Sequence, residues 1–158
     1  MTGRFQSRLL DIEPGWIDYN GHLNMAYYSV LFDRACDDLW DQIGFGTDYI
    51  AATNHTTFMA EFHIRYLREL KLGDRVRSDV TIVDYDEKRF HLFQQLYHQD
   101  GWLAATGEAM TLHVDLAGPH VSPMKDPILG RIAAFYQAHS ALPKPDGLGG
   151  QVGIKRKK

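Results

Sequence analysis

Residues 16–28 read WIDYNGHLNMAYY and gather an acid, Asp18, a Gly-His pair, Gly21 and His22, and an amide, Asn24, ahead of an apolar-periodic segment. A carboxylate can serve as nucleophile or base, and a histidine as acid or base. A helix start adds unpaired N–H groups at the positive end of its dipole. Each residue also has a plainer reading. Asp18 suits a turn before Gly21, Gly21 suits a positive φ, and His22 suits a packed or hydrogen-bonding loop position.

Other chemistries lack their spacing. The eight histidines and the single cysteine form no H-E-x-x-H or related metal pattern. There is no G-x-S-x-G elbow, no G-x-x-x-x-G-K-[ST] loop, and no G-x-G-x-x-G after a strand. The expected chemistry is therefore free of metal and cofactor. Glu61 is the second carboxylate to consider, although within a strand it reads as a structural partner.

The elements that must position these groups follow from periodicity. From Asn24 to Ile43, residues Tyr28, Leu31, Phe32, Ala35, Leu39, Trp40 and Ile43 recur at spacings of three and four, the stripe of an amphipathic helix. Asn24 is a suitable N-cap and Gly44 a suitable stop. Cys36 lies within this helix and reads as buried packing. After about Thr56 the chain reads as long antiparallel strands: TTFMAEFHIRYL, RVRSDVTIVD, RFHLFQQLYH and WLAATGEAMTLHVDL, with a hairpin at Asp100-Gly101. PGW at 14–16 breaks an N-terminal strand, and Asp126-Pro127 opens a last helix running to about Ser140. The expected organisation is one domain over 1–142, then a loose Gly- and Pro-rich tail over 143–158 that ends in basic residues.

A helix of about 20 residues spans roughly 30 Å and can lie along the one sheet face that needs cover, if the sheet curls around it. This predicts an α+β hotdog fold, a long central helix wrapped by a curved antiparallel sheet. Open sheet edges predict a homodimer or tetramer.

At 158 residues, with 44% hydrophobic and 23% charged residues, the composition is that of one globular domain. A net charge of -3 argues against a nucleic-acid partner, which requires a basic face. No apolar run approaches the ~18 residues of a membrane span or the pattern of a signal peptide, and one cysteine forms no internal disulfide. The expected location is cytoplasmic, away from membranes.

DYNGHLNMAYY resembles the D-x-x-G-H-x-N-N-x-x-Y segment of hotdog-fold acyl-CoA thioesterases of the 4-hydroxybenzoyl-CoA thioesterase type. YLRELKLGDRV resembles their Y-L-R-P-x-x-x-G-D-x-V strand and turn. The likeness runs over roughly residues 5–120, departing at Met25, where the family has a second Asn, and at Glu69, where it has Pro. WIDYNGHL and LHVDLAGPHVSPM look like the subset associated with carnitine breakdown, which cleaves betainyl-CoA.

The resemblance implies that Asp18 attacks the thioester or activates water, while a first-turn N–H near Met25 polarises the carbonyl, with His22 and Asn24 as positioning or donor groups. A quaternary ammonium substrate would call on aromatic faces, and Trp16, Tyr19, Tyr27, Tyr28 and Phe58 are the candidates, each also readable as core or wall. Coenzyme A phosphates would call on cations, for which Arg65, Lys88 and Arg89 are candidates. The alternative is a hotdog domain that binds acyl thioesters without hydrolysis, or a dehydratase-like relative.

Overall fold

The computed structural model describes residues 3–154. Residues 155–158, which include most of the expected basic end, lie outside it. Two short strands, β1 (Phe5–Gln6) and β2 (Leu10–Asp11), lead to a single 3₁₀ turn at Pro14–Trp16 and then to the helix α1, Met25–Ile43. Both ends of α1 are set locally. The Asn24 side chain accepts from the Ala26 N–H, and Gly44 adopts φ 95°, a left-handed conformation that glycine enters without penalty.

The chain then forms a second helix that the strand-and-turn reading of this region does not include, α2 at Thr47–Thr53. Four long strands follow: β3 (His55–Tyr66), β4 (Arg75–Tyr85), β5 (Arg89–His98) and β6 (Leu103–Asp115). The short β7 (His120–Val121) and the helix α3 (Ile128–Ser140) complete the order. All strand pairs are antiparallel, in the order β1-β4-β5-β6-β3, with β2 also on β4 and β7 on β6. The β5–β6 hairpin turns at Asp100-Gly101, where Gly101 takes φ 88° and donates to the His98 carbonyl at 2.8 Å.

Strand alternation gives the sheet one face to bury. Val76, Val80 and Ile82 on β4 and Phe90, Leu92 and Leu96 on β5 point inward and are almost fully buried. Against them α1 buries Tyr28, Leu31, Phe32, Ala35, Cys36, Leu39 and Ile43. Packing is tight at Gly107 on β6, where a Cβ would lie 2.9 Å from the Phe62 ring of β3 and 3.3 Å from Phe32 of α1. The two rings meet edge to face at 5.6 Å, and burying one such ring stabilises by about 1.5–3 kcal/mol. Register shifts between Met59 and Glu61 on β3 and between Ile82 and Asp84 on β4 add local twist, so the sheet curls round the helix. This is the hotdog arrangement.

Cys36 is a packing residue. Burial pushes its thiol up to about 12, so it stays protonated, and Gln94 Nε2 donates to its Sγ at 3.3 Å. The helix α3 closes the far side of β4, where His139 Nδ1 accepts from the Ile82 N–H at 2.9 Å. After α3 the chain returns over the outer sheet face. Arg4 donates to the Pro143 carbonyl at 2.5 Å, and the Gly149 N–H donates to Glu108 Oε2 at 2.8 Å. The other edge strand, β3, has a partner on one side only. No helix among the described residues is long and apolar enough to cross a membrane.

Candidate active site

The loop before α1 is closed by its own backbone. The Asp18 N–H donates to the His22 carbonyl, and the Gly21 N–H returns a bond to the Asp18 carbonyl, each at 2.9 Å. Gly21 sits at φ 77°, so the small residue is required by this turn. The Asp18 carboxylate joins in through one oxygen: Oδ1 accepts from the Asn20 N–H at 2.8 Å and from the His22 N–H at 3.4 Å. Oδ2 has no donor among the described residues.

Two further bonds tie the loop to its surroundings. The Asn24 N–H donates to the Trp16 carbonyl at 2.9 Å, and the Leu23 N–H donates to the Leu70 carbonyl at 2.8 Å. The second fixes the loop against the segment that follows β3. Asn24 then caps α1 through Ala26 at 3.0 Å. This leaves the Met25 N–H without an acceptor among the described residues, at the positive end of a helix of 19 residues.

A cleft of about 370 Å³ opens here, lined by Asp18, His22, Leu23, Met25, Tyr28, Tyr66, Leu67, Arg68 and Glu69. Asp18, with one carboxylate oxygen free of bonds, and Met25, with its N–H free, thus line one concavity. That is the pair a carbonyl substrate needs: a group to attack it or to activate water, and a donor for the oxygen that becomes negative.

Of the residues expected from sequence, Asp18, His22, Met25 and Tyr28 line this cleft, and Asn24 shapes it as the cap. Tyr28 meets Tyr66 edge to face at 5.0 Å, and burial raises its hydroxyl to about 12, so it remains a neutral donor or wall. Trp16 and Tyr27 stack on each other at 5.5 Å behind the loop, and the Arg34 guanidinium lies 4.8 Å over the Trp16 ring. Tyr19 is almost fully exposed.

Phe58 is half exposed near the other end of β3, away from Asp18 of the same chain. Arg65 faces the outer side of the sheet, packed beneath Gly147 and Gly150. Lys88 and Arg89 lie at the β4–β5 turn, beside Glu87 at 3.8 Å and paired with Asp86 at 2.7 Å. Glu61 lies in a different cleft, with His63, His91 and Glu108.

Sequence reasoning assigned no role to Tyr66, Arg68 or Glu69. Tyr66 donates to the Met25 carbonyl at 3.1 Å and so ties β3 to the first turn of α1. The Glu69 carboxyl is held below its usual range, first by its own backbone N–H and then by the nearby His22. A signal was present: DYNGHLNMAYY and YLRELKLGDRV, the two segments that carry the resemblance, form the two walls of this cleft. Among the described residues no group of three or more His, Cys, Asp or Glu side chains is placed to hold a metal.

Comparison with known proteins finds relatives over most of the chain. The chain is 39% identical over 142 residues to a betainyl-CoA thioesterase of Pseudomonas aeruginosa, covering 89% of each chain. It is 36% identical over 152 residues to an L-carnitine dehydrogenase/betainyl-CoA thioesterase of Rhizobium meliloti, where the match takes in 94% of this chain and 30% of that longer protein. A Staphylococcus aureus protein solved in complex with CoA superposes with a TM-score of 0.88 at 29% identity, covering 98% of both chains. The Thioesterase-like superfamily profile matches residues 12–132, a span that runs from before the Asp18 loop into α3, and the chain belongs to that superfamily.

Proposed function

We propose that this protein is an acyl-CoA thioesterase in which Asp18 is the reacting carboxylate and the Met25 N–H the oxyanion donor. The observation that carries the reading is the cleft that Asp18 and Met25, the first residue of α1, both line. The thioester carbonyl oxygen lies toward the Met25 N–H, and Asp18 either attacks the carbonyl carbon or takes a proton from the attacking water. On the first route the C–S bond breaks as an acyl-aspartyl anhydride forms, and water then hydrolyses the anhydride to the free acid. On the second the hydroxyl of the water joins the acyl group as the C–S bond breaks. On both, a proton from the water passes to the CoA thiolate. Asn24 and Tyr66 hold the first turn in place, the one through the cap and the other through the Met25 carbonyl.

For the acyl group we propose betaine. Support comes from the names of the Pseudomonas and Rhizobium relatives and from the lining itself. Asp18 and Glu69 supply negative charge, and Tyr28 and Tyr66 supply aromatic surface, the combination that suits a quaternary ammonium unable to donate hydrogen bonds. Trp16 and Tyr27 back the loop and are candidates for its outer wall.

The functional unit proposed is a homodimer joined along β3. Antiparallel self-pairing would bring the partner's His55 end beside the Tyr66 end of this chain, which is how the exposed Phe58 could reach an Asp18 site. A CoA substrate and a lone buried cysteine fit a cytoplasmic setting.

The test is a panel of CoA thioesters assayed with a thiol-trapping dye. The expected result is a higher kcat/KM on betainyl-CoA than on butyryl- or isovaleryl-CoA. Equal values, or a preference for aromatic or long-chain acyl groups, would remove the betaine assignment. No turnover of any thioester would remove the hydrolase.

A further inference from the structure

We infer that Arg68 is the cation that receives a phosphate of coenzyme A at this cleft, held in place by Trp102. The inference rests on the acyl-CoA reading above. A cleft bounded by the carboxylates of Asp18 and Glu69 repels the phosphates of its own substrate, so a compensating cation must stand at its mouth. Among the described residues, Arg68 is the one arginine or lysine that lines it.

Several other arginines are engaged elsewhere. Arg8 pairs with Asp38, Arg34 with Glu13 and Arg89 with Asp86. Arg131 donates to the Ile43 carbonyl at 2.9 Å, and Arg65 is packed under the glycines that follow α3.

Arg68 has no hydrogen-bond or ion-pair partner for its guanidinium among the described residues. It is nevertheless fixed. The guanidinium carbon lies 4.1 Å from the centroid of the Trp102 ring, and that ring stacks on His98 at 4.4 Å, with 14° between the planes. His98 is itself buried, with Asp74 and Asp100 each at 3.4 Å. The main chain is pinned as well, since the N–H groups of Leu67 and Arg68 both donate to the Ala104 carbonyl, at 2.9 and 3.0 Å.

Stacking restrains the planar fork without consuming its N–H donors. A guanidinium so held loses little conformational freedom on accepting a phosphate and meets two oxygens at once. An isolated surface arginine would have to be ordered first, and that cost offsets most of the gain. Glu69, next in sequence, feels the Arg68 charge without forming an ion pair with it.

The experiment compares Arg68→Gln with the parent on two substrates bearing the same acyl group: the CoA thioester and the N-acetylcysteamine thioester, which carries no phosphate. Binding of free CoA and of 3′-dephospho-CoA is measured by calorimetry on the same proteins. Arg68→Gln should raise KM for the CoA thioester about tenfold, with kcat within twofold, leave KM for the truncated thioester unchanged, and weaken CoA binding to match. Arg68→Lys should recover part of the loss, and Trp102→Leu should reproduce it in milder form.

A loss seen with CoA but not with dephospho-CoA places the contact at the 3′-phosphate, and an equal loss with both places it at the diphosphate; both outcomes support the assignment. Unchanged CoA affinity, or an equal rise in KM for both thioesters, overturns it. Calorimetry needs no turnover, so a parent that binds CoA but hydrolyses nothing refutes the hydrolase while still testing Arg68.

Discussion

Replacing Asp18 by Asn separates the chemistry of the carboxylate from its part in the loop. The amide oxygen of Asn can take the place of Oδ1 and keep the bonds from the Asn20 and His22 N–H groups, at 2.8 and 3.4 Å. What those bonds lose is charge assistance, which costs about 1 kcal/mol or less for one good bond and one long one. A domain of this size should then melt within about 4 °C of the parent. The free Oδ2 becomes an NH₂ group that can neither attack a carbonyl nor take a proton. Turnover should fall at least ~100-fold, or about 2.7 kcal/mol of lost transition-state stabilisation at 1.36 kcal/mol per tenfold. The readouts are kcat from the thiol-trapping assay and Tm from a thermal melt. Asp18→Ala, which also removes the acceptor, should match the Asn variant in rate and melt lower by a further 1–2 kcal/mol or so. An Asn variant within a few-fold of parental activity would refute the assignment and leave Asp18 as a turn residue.

Gly107→Ala should destabilise the fold by about 1–3 kcal/mol, because the added methyl meets the Phe62 ring at 2.9 Å and Phe32 of α1 at 3.3 Å; a denaturant melt with an unchanged midpoint would contradict that packing. Phe58→Lys, which places a charge on the half-exposed open edge of β3, should convert a sedimenting dimer to a monomer and lower turnover with it. A parent that already sediments as a fully active monomer would end the dimer reading.

Much of this fold is written in local pattern. The helix α1 is legible at both ends because Asn24 and Gly44 act on their own neighbours, and the long strands are legible because their inward positions alternate. The helix α2 is not. It has seven residues, no side-chain cap and no buried residue, so it leaves no apolar stripe to read; its conformation follows from joining the end of α1 to the start of β3. The aromatic cluster near Asp18 was legible as composition only. Which rings face the cleft depends on contacts distant in sequence, and these give Trp16 to Tyr27 and Arg34 while bringing Tyr66 to the first turn of α1. Arg68 was hidden for the same reason, since the ring it rests on lies across the sheet at the start of another strand. A surface arginine carries no sign in the sequence that its guanidinium is stacked rather than solvated.

The two sequence readings of Asp18, turn residue and reactive acid, turn out to be compatible, because the carboxylate has two oxygens and the loop uses one. The bonds to Oδ1 fix χ1 and χ2 of Asp18 against the Gly21 turn, and that turn is anchored to the segment after β3 through Leu23 and Leu70. The carboxylate is thereby fixed before substrate arrives, so binding costs it little further entropy. The Met25 N–H is prepared in the same way. The Asn24 side chain takes the Ala26 N–H, the Asn24 carbonyl takes the Tyr27 N–H, and Tyr66 holds the Met25 carbonyl, while the Met25 N–H has no acceptor among the described residues. A turn that served only to reverse the chain would gain nothing from leaving a carboxylate oxygen and a helix N–H unpaired on two residues that line one cleft. Their joint availability is the physical ground for reading the loop as a site.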